Sequence, residues 1–250
     1  MRIARSKAVS ANKSFTRLER VNGQGNLSWG QQAVTAIGTI DTSHWTYVAL
    51  LGGSDTMAYR VRIAQSHLRP DMLPSYWSES ILVELKGDSV KGARALHVPL
   101  LQPDRQDFAT ISNGVITRPL RDFDDPQRFP NIALIALPIP QAEILKQVEK
   151  FKKSRPSLDA LEHVLRWLAF AWGAARTPNP LHDNYGLPSA CMLETVFGAA
   201  GLDLTPGLES RTSCPEAIWV AARYWQDYFK EFRGDSPVGC YWTAHSYPIQ

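Results

Sequence analysis

Hydrophobic positions along this chain change their spacing part-way through. Between residues 43 and 137 they come as short runs, as in a sheet. SHWTYVALLGG (43–53) has an apolar, β-rich core closed by two glycines, which predicts a buried strand ending in a turn. Residues 57–64 (MAYRVRIA) alternate and read as its return strand, with Tyr59, Val61 and Ile63 on one face. Two further runs, 81–85 and 95–101, flank a glycine-rich basic turn, and 110–120 reads as a hairpin about Asn113-Gly114. Residues 131–137 (NIALIAL) are unbroken apolar and suit a central strand.

From Pro138 the period becomes helical. Ile144, Leu145, Val148 and Phe151 share one stripe over 141–153, and Leu161, Leu165, Leu168 and Trp172 do so over 158–175. A polar loop (177–186) leads to a helix from Pro188 that stops at Gly201. Ser213 and Glu216 have capping-box spacing, with Pro215 in the first turn of a last helix reaching Phe232. Strands followed by helices predict an α+β fold, an antiparallel sheet packed against C-terminal helices. Residues 1–30 read as a loose arm and 31–250 as one domain with an insertion near 66–105. Residues 32–40 are ambiguous, since Val34, Ile37 and Ile40 fit a helix while Gly38 breaks one, and the aromatic-rich 234–250 reads as surface.

Composition narrows the chemistry. A net charge of +3 tolerates an anionic polymer without demanding one, and no basic cluster is interleaved with aromatics, so a nucleic-acid partner is not expected. No apolar run is long enough to span a membrane, and the first twenty residues lack the apolar core of a signal peptide, which implies synthesis in the cytosol. Three scattered cysteines, Cys191, Cys214 and Cys240, give neither a disulfide framework nor a zinc signature, and no metal or other cofactor is implied.

Cys191 stands out by position. In YGLPSACMLETVFGAAG (185–201) it falls in the first helical turn, where free amides and the helix dipole favour a thiolate. Ser189 is placed to accept orphan amides there. The plainer alternative is that Cys191 packs as a small core hydrophobe. His44, at the entry of the first strand, is the candidate base; failing it, the role passes to His67, His97, His163, His182 or His245. Glu84, between Val83 and Leu85, could face solvent or orient an imidazole.

Ser43-His44 opening a strand, the 131–137 strand running into a helix, and Tyr185 before a helix that opens on Cys191 together resemble the circularly permuted papain-like cysteine peptidases and amidases of the NlpC-like superfamily. AGLDLTPG (200–207) and SCPEAIW (213–219) also look like the segments C-terminal to the cysteine in that family. The likeness covers roughly residues 40–220 in outline, and Met192-Leu193 stand where the family has serine and glutamate. It implies a cysteine hydrolase cutting an amide bond, with Cys191 as nucleophile, His44 as its acid and base, the Cys191 amide as oxyanion donor, and Glu84 or else Gln65 orienting the imidazole. Peptidoglycan peptides are the substrate class it suggests. A chain made without a leader would then be exported by a dedicated machine as an antibacterial effector, with an inhibitory immunity protein as a further partner. Thioesterase, acyltransferase and deubiquitinase-like chemistries suit the same residues. The reading from another class is an inert scaffold that only binds, which would leave Cys191 unreactive and His44 out of its reach.

Overall fold

Seven strands share one mixed sheet in the computed structural model, which describes residues 15–38, 41–87, 89–101, 109–154, 158–232 and 236–244. In chain order they are β1 (Thr16–Arg17), β2 (Thr46–Gly52), β3 (Glu79–Lys86), β4 (Ser89–His97), β5 (Ile116–Pro119), β6 (Asn131–Leu137) and β7 (Val238–Trp242). Across the sheet the order is β1-β7-β6-β2-β3-β4-β5. Every neighbouring pair is antiparallel except β1 with β7. The helices are α1 (Asn26–Ile37), α2 (Thr56–Ala64), α3 (Gln141–Lys153), α4 (Ala160–Trp172), α5 (Pro188–Ala199) and α6 (Pro215–Phe232). The fold is α+β.

Alternation along the strands divides the core in two. Tyr47, Ala49 and Leu51 of β2 face α1, whose Trp29, Ala33 and Val34 cover them together with Phe123. Val48 and Leu50 point the other way, into a larger core built by α2 to α6 around Trp77, Ile144, Trp167, Met192 and Phe197. β2 and β6 are buried at every position, which is why their sequences read as unbroken apolar runs.

Several expectations are corrected here. Residues 56–64 are a helix. The Asp55 side chain accepts the Ala58 amide, Val61 and Ala64 enter the core one turn apart, and Ile63 is exposed. The strands beside β2 are therefore β3 and β6. Asn113-Gly114 does mark a turn, but no hairpin surrounds it. Asn113 ends a short 3-10 turn, and its side chain bonds the Leu158 carbonyl and Ala160 amide at the entry to α4. Gly38 stops α1 in the left-handed conformation, its amide donating to the Val34 carbonyl, so it ends the helix instead of breaking it.

The sheet also extends beyond 43–137. β7 lies between β1 and β6, with Val238 and Cys240 buried, so the described part of the C-terminal segment, 236–244, is not a surface tail; residues 234–235 and 245–250 lie outside the described residues. β1 and α1 draw the described part of the N-terminal arm into the fold; its first fourteen residues lie outside the described residues. The segment 66–105 contributes β3 and β4, which are inner strands of the sheet.

Candidate functional site

Cys191 sits in the fourth position of α5, and the local sequence explains how. Leu187 is the N-cap residue, Pro188 supplies the first turn, and the Cys191 amide donates to the Leu187 carbonyl at 2.9 Å. That amide is thus the first bond of the helix and cannot serve an oxyanion. Ser189 does not cap the helix. Its hydroxyl accepts from the Val98 amide and donates to the Val98 carbonyl, tying α5 to the end of β4.

The Cys191 sulfur has no exposed surface. It approaches the carbonyl oxygens of Arg211 at 3.3 Å and Ser213 at 3.6 Å, so the thiol hydrogen donates to acceptors that would repel a thiolate. Burial pushes its pKa well up, and the neighbouring Cys214 adds to the rise. Desolvation outweighs the helix dipole that made the position attractive in the sequence.

The imidazole beside it belongs to His163 of α4, whose Nδ1 lies 3.9 Å from the sulfur. The same nitrogen is 2.9 Å from the Gly186 carbonyl, which can only accept, so Nδ1 carries the proton. A base for Cys191 would need that nitrogen bare. Burial holds the His163 pKa below its usual value. Tyr185 packs edge-on against the ring, its hydroxyl donates to Glu162 at 2.6 Å, and Arg166 and Arg211 flank it. The turn comes this close because residue 186 is glycine: a Cβ there would lie 2.2 Å from the Ser213 carbonyl oxygen and 2.6 Å from the Cys191 sulfur.

His44 is elsewhere. Its side chain is 76% exposed and bonds Asp41 at 2.9 Å and Ser43 at 2.8 Å. Hydrogen bonds from Ser43, then from His44, hold the Asp41 carboxyl at about 2. The registers show why the two ends cannot meet. Ser189 docks beside the C-terminal end of β4, which pairs with the start of β3, and β3 begins opposite the end of β2. His44 precedes the other end of β2, roughly 20 Å away at about 3.3 Å per residue. Glu84 gives both oxygens to Arg94 on β4, at 2.8 and 2.6 Å. Gln65 is buried between the Val61 and Trp77 carbonyls, which accept from it, and the Glu216 amide, which donates to it. Neither residue orients an imidazole. Of the fallback histidines, His245 lies outside the described residues.

Gln65 leads to a cleft that no motif announced. Arg17 of β1, Arg69, Asp71 and Tyr76 of the loop after α2, Glu216, Trp219 and Arg223 of α6, and Tyr241 of β7 enclose about 400 Å³. Glu216 is 2% exposed; it accepts from the Ser75 hydroxyl at 2.6 Å, and burial raises its pKa. The Ser213–Glu216 capping box does not form, since Gln65 takes the Glu216 amide and Ser213 turns to Glu194. Arg69 grips Asp71 through two bonds and lies 3.8 Å from Glu216 and 4.7 Å from the Tyr76 ring centre. Arg223 lies against Trp219, and Arg17 against Trp242 while donating to Glu19 and the Thr243 carbonyl. Four separate segments build this cleft, so spacing in the sequence could not expose it. The one local trace was the Glu216 position ahead of a helix, and it pointed to a cap.

No family model matches the chain, and neither the curated proteins nor the solved structures include a match to it. Among the described residues no helix is long and apolar enough to cross a membrane, and no group of His, Cys, Asp and Glu is placed to hold a metal ion.

Proposed function

We propose that this chain is a binding protein whose ligand occupies the cleft of Arg17, Arg69, Glu216, Trp219 and Arg223, and that Cys191 is a core thiol. One observation carries the reading: the only imidazole beside the Cys191 sulfur, among the described residues, has its near nitrogen committed to the Gly186 carbonyl, while the thiol faces two more carbonyls. A nucleophile in that setting has neither a base nor a route to substrate. The cleft supports the positive half of the reading, being of ligand size with charged and aromatic groups converging on it. The test is iodoacetamide labelling of the folded protein near neutral pH, with peptide mapping of the product. Cys191 should stay unmodified until the chain is unfolded; rapid labelling of Cys191 alone would overturn the reading.

A second reading keeps the likeness to the permuted papain-like enzymes, namely a cysteine hydrolase of amide bonds in cell-wall peptides, with His163 in place of His44. The 3.9 Å approach of His163 to a cysteine in a helix first turn favours it. It requires the Tyr185–Gly186 turn to swing away, baring the sulfur and freeing Nδ1. Peptidoglycan fragments incubated with the protein and tracked by mass spectrometry separate the two. Cleavage abolished equally by Cys191→Ala and His163→Ala would establish the hydrolase, and intact fragments would exclude it.

A further inference from the structure

The glycine-rich basic turn between β3 and β4 has no part in the cleft. It opens a groove near the other end of the sheet. Glu84 pairs with Arg94 and Lys86 with Ser89, so Val90, Lys91, Gly92 and Ala93 stand opposite the single residue Leu85 and bulge out of the ladder. Gln31 of α1 fixes the bulge. Its side-chain oxygen accepts from the Val90 amide at 3.0 Å and the Ser89 hydroxyl at 3.4 Å, and that hydroxyl accepts from the Lys91 amide at 3.1 Å. The bulge, the first turns of α1 and the end of β5 with the 3-10 turn Leu120–Phe123 frame about 1250 Å³.

The walls of this groove are of one sign. Lys86, Lys91, Arg94, Arg118 and Arg121 line it, and among the described residues no acidic side chain does. Two of these cations are already matched, Arg94 by Glu84 through two bonds and Arg118 by Asp122 at 3.0 Å. That leaves Lys86, Lys91 and Arg121, all exposed and, among the described residues, without an ion pair or hydrogen bond of the side chain. Leu27, Val90, Ala93 and Pro119 give the groove aliphatic surface between the charges, and no aromatic ring lines it among the described residues.

We infer that the groove docks an acidic, extended segment of a partner protein, its carboxylates on Lys86, Lys91 and Arg121 and its aliphatic side chains on Leu27, Val90 and Ala93. The volume exceeds the roughly 300–1,000 Å³ of small-molecule sites, which favours an extended ligand. A single-stranded nucleic acid binds through aromatic platforms on which its bases stack, and this groove offers none. A polypeptide carrying carboxylates and aliphatic side chains meets both the charge and the floor. Exposed ion pairs are individually weak and screened by salt, so such docking draws on several at once and is salt-sensitive. The groove lies toward the β5 end of the sheet and the cleft at the β1 end, so the inference stands apart from the binding reading of the cleft.

The experiment is fluorescence anisotropy of the full chain with the labelled peptide Asp-Leu-Glu-Ala-Asp-Leu-Glu-Ala, with the same peptide carrying Asn and Gln in place of Asp and Glu, and with labelled oligothymidylate. In about 50 mM salt the acidic peptide should bind saturably and at least tenfold more tightly than the neutral one, and about 500 mM salt should weaken it at least tenfold. Lys91→Glu combined with Arg121→Glu, both exposed changes, should weaken the acidic peptide at least tenfold, and a melting curve checks the fold. Lys146→Glu combined with Lys150→Glu takes the same charge from α3, on the other face of the sheet, and should leave the affinity within about twofold. Equal loss in the two double variants would reduce the effect to net charge and overturn the inference. So would equal affinity for the neutral peptide, tighter binding of oligothymidylate, or no saturable binding of the acidic peptide, and these three comparisons need no variant.

Discussion

Single residues decide how Cys191 is read, because the balance lies between a dipole that favours the thiolate and a burial that forbids it. The same burial holds Cys214 at about 12 and Cys240 at about 11. In the unfolded chain a thiol ionises from about 8.5, so the unfolded state releases protons first and stability must fall as pH rises. The loss begins near that value and continues to about 11 for Cys240 and about 12 for Cys214. Each thiol adds about 1.4 kcal/mol per pH unit to the slope within its window. Cys214→Ala should therefore melt lower than the parent at neutral pH, yet lose stability less steeply between pH 9 and 11. Parallel curves for the two proteins would mean that Cys214 titrates normally. His44 belongs to the same scale with the opposite expectation. Exposed and bonded only to its neighbours in sequence, it can be replaced by alanine with the melting temperature moving no more than about 2 °C. A larger fall in melting temperature would show that His44 holds more than its own turn.

At the scale of elements, what the sequence made legible was whatever one element states by itself. β2 and β6 announced themselves as apolar runs, and α3 matched its expected bounds to the residue, because each of these patterns is complete within one segment. α2 was missed since nine residues with apolar positions 59, 61 and 63 alternate as a strand does, and only Asp55 as a cap betrays the helix. The position of Cys191 in a first turn was legible; its surroundings were not. The carbonyls of Arg211 and Ser213 and the ring of His163 arrive from a loop and another helix, and no spacing along the chain encodes them. The Gly186 turn is where these parts meet, and it gives a test. In Gly186→Ala the new methyl must displace the Ser213 carbonyl or the Cys191 sulfur, so the entry to α5 has to shift. A cost of roughly 1–3 kcal/mol is expected in urea unfolding, in the range of overpacked cores. A variant as stable as the parent would show that the turn is loose, which is what the hydrolase reading requires.

Over the whole molecule, the two ends of the described chain meet in one place, and that joins the fold to the cleft. β7 pairs with β6 along five residues and with β1 on its other side. It carries Tyr241 into the cleft, while β1 carries Arg17. The last strand is thus both a structural seal and a wall of the cleft, although its sequence alone suggested a surface tail. Removing residues 236–250 should leave β6, a fully buried strand, as a bare edge with unpaired backbone groups and apolar side chains. Such an edge invites pairing between copies, so the truncated chain should express as aggregate, or as a soluble species with increased dye binding and lost cooperativity. A narrower variant separates the seal from the site. Tyr241→Ala keeps the β6–β7 ladder, whose bonds are backbone, and removes one aromatic wall. It should stay soluble and unfold cooperatively, with a midpoint below the parent's because the Tyr241–Trp219 ring contact is lost. Aggregation of both proteins would mean that the Tyr241–Trp219 packing holds the strand in place; a soluble, cooperative truncation would mean that β7 contributes nothing to the sheet's stability.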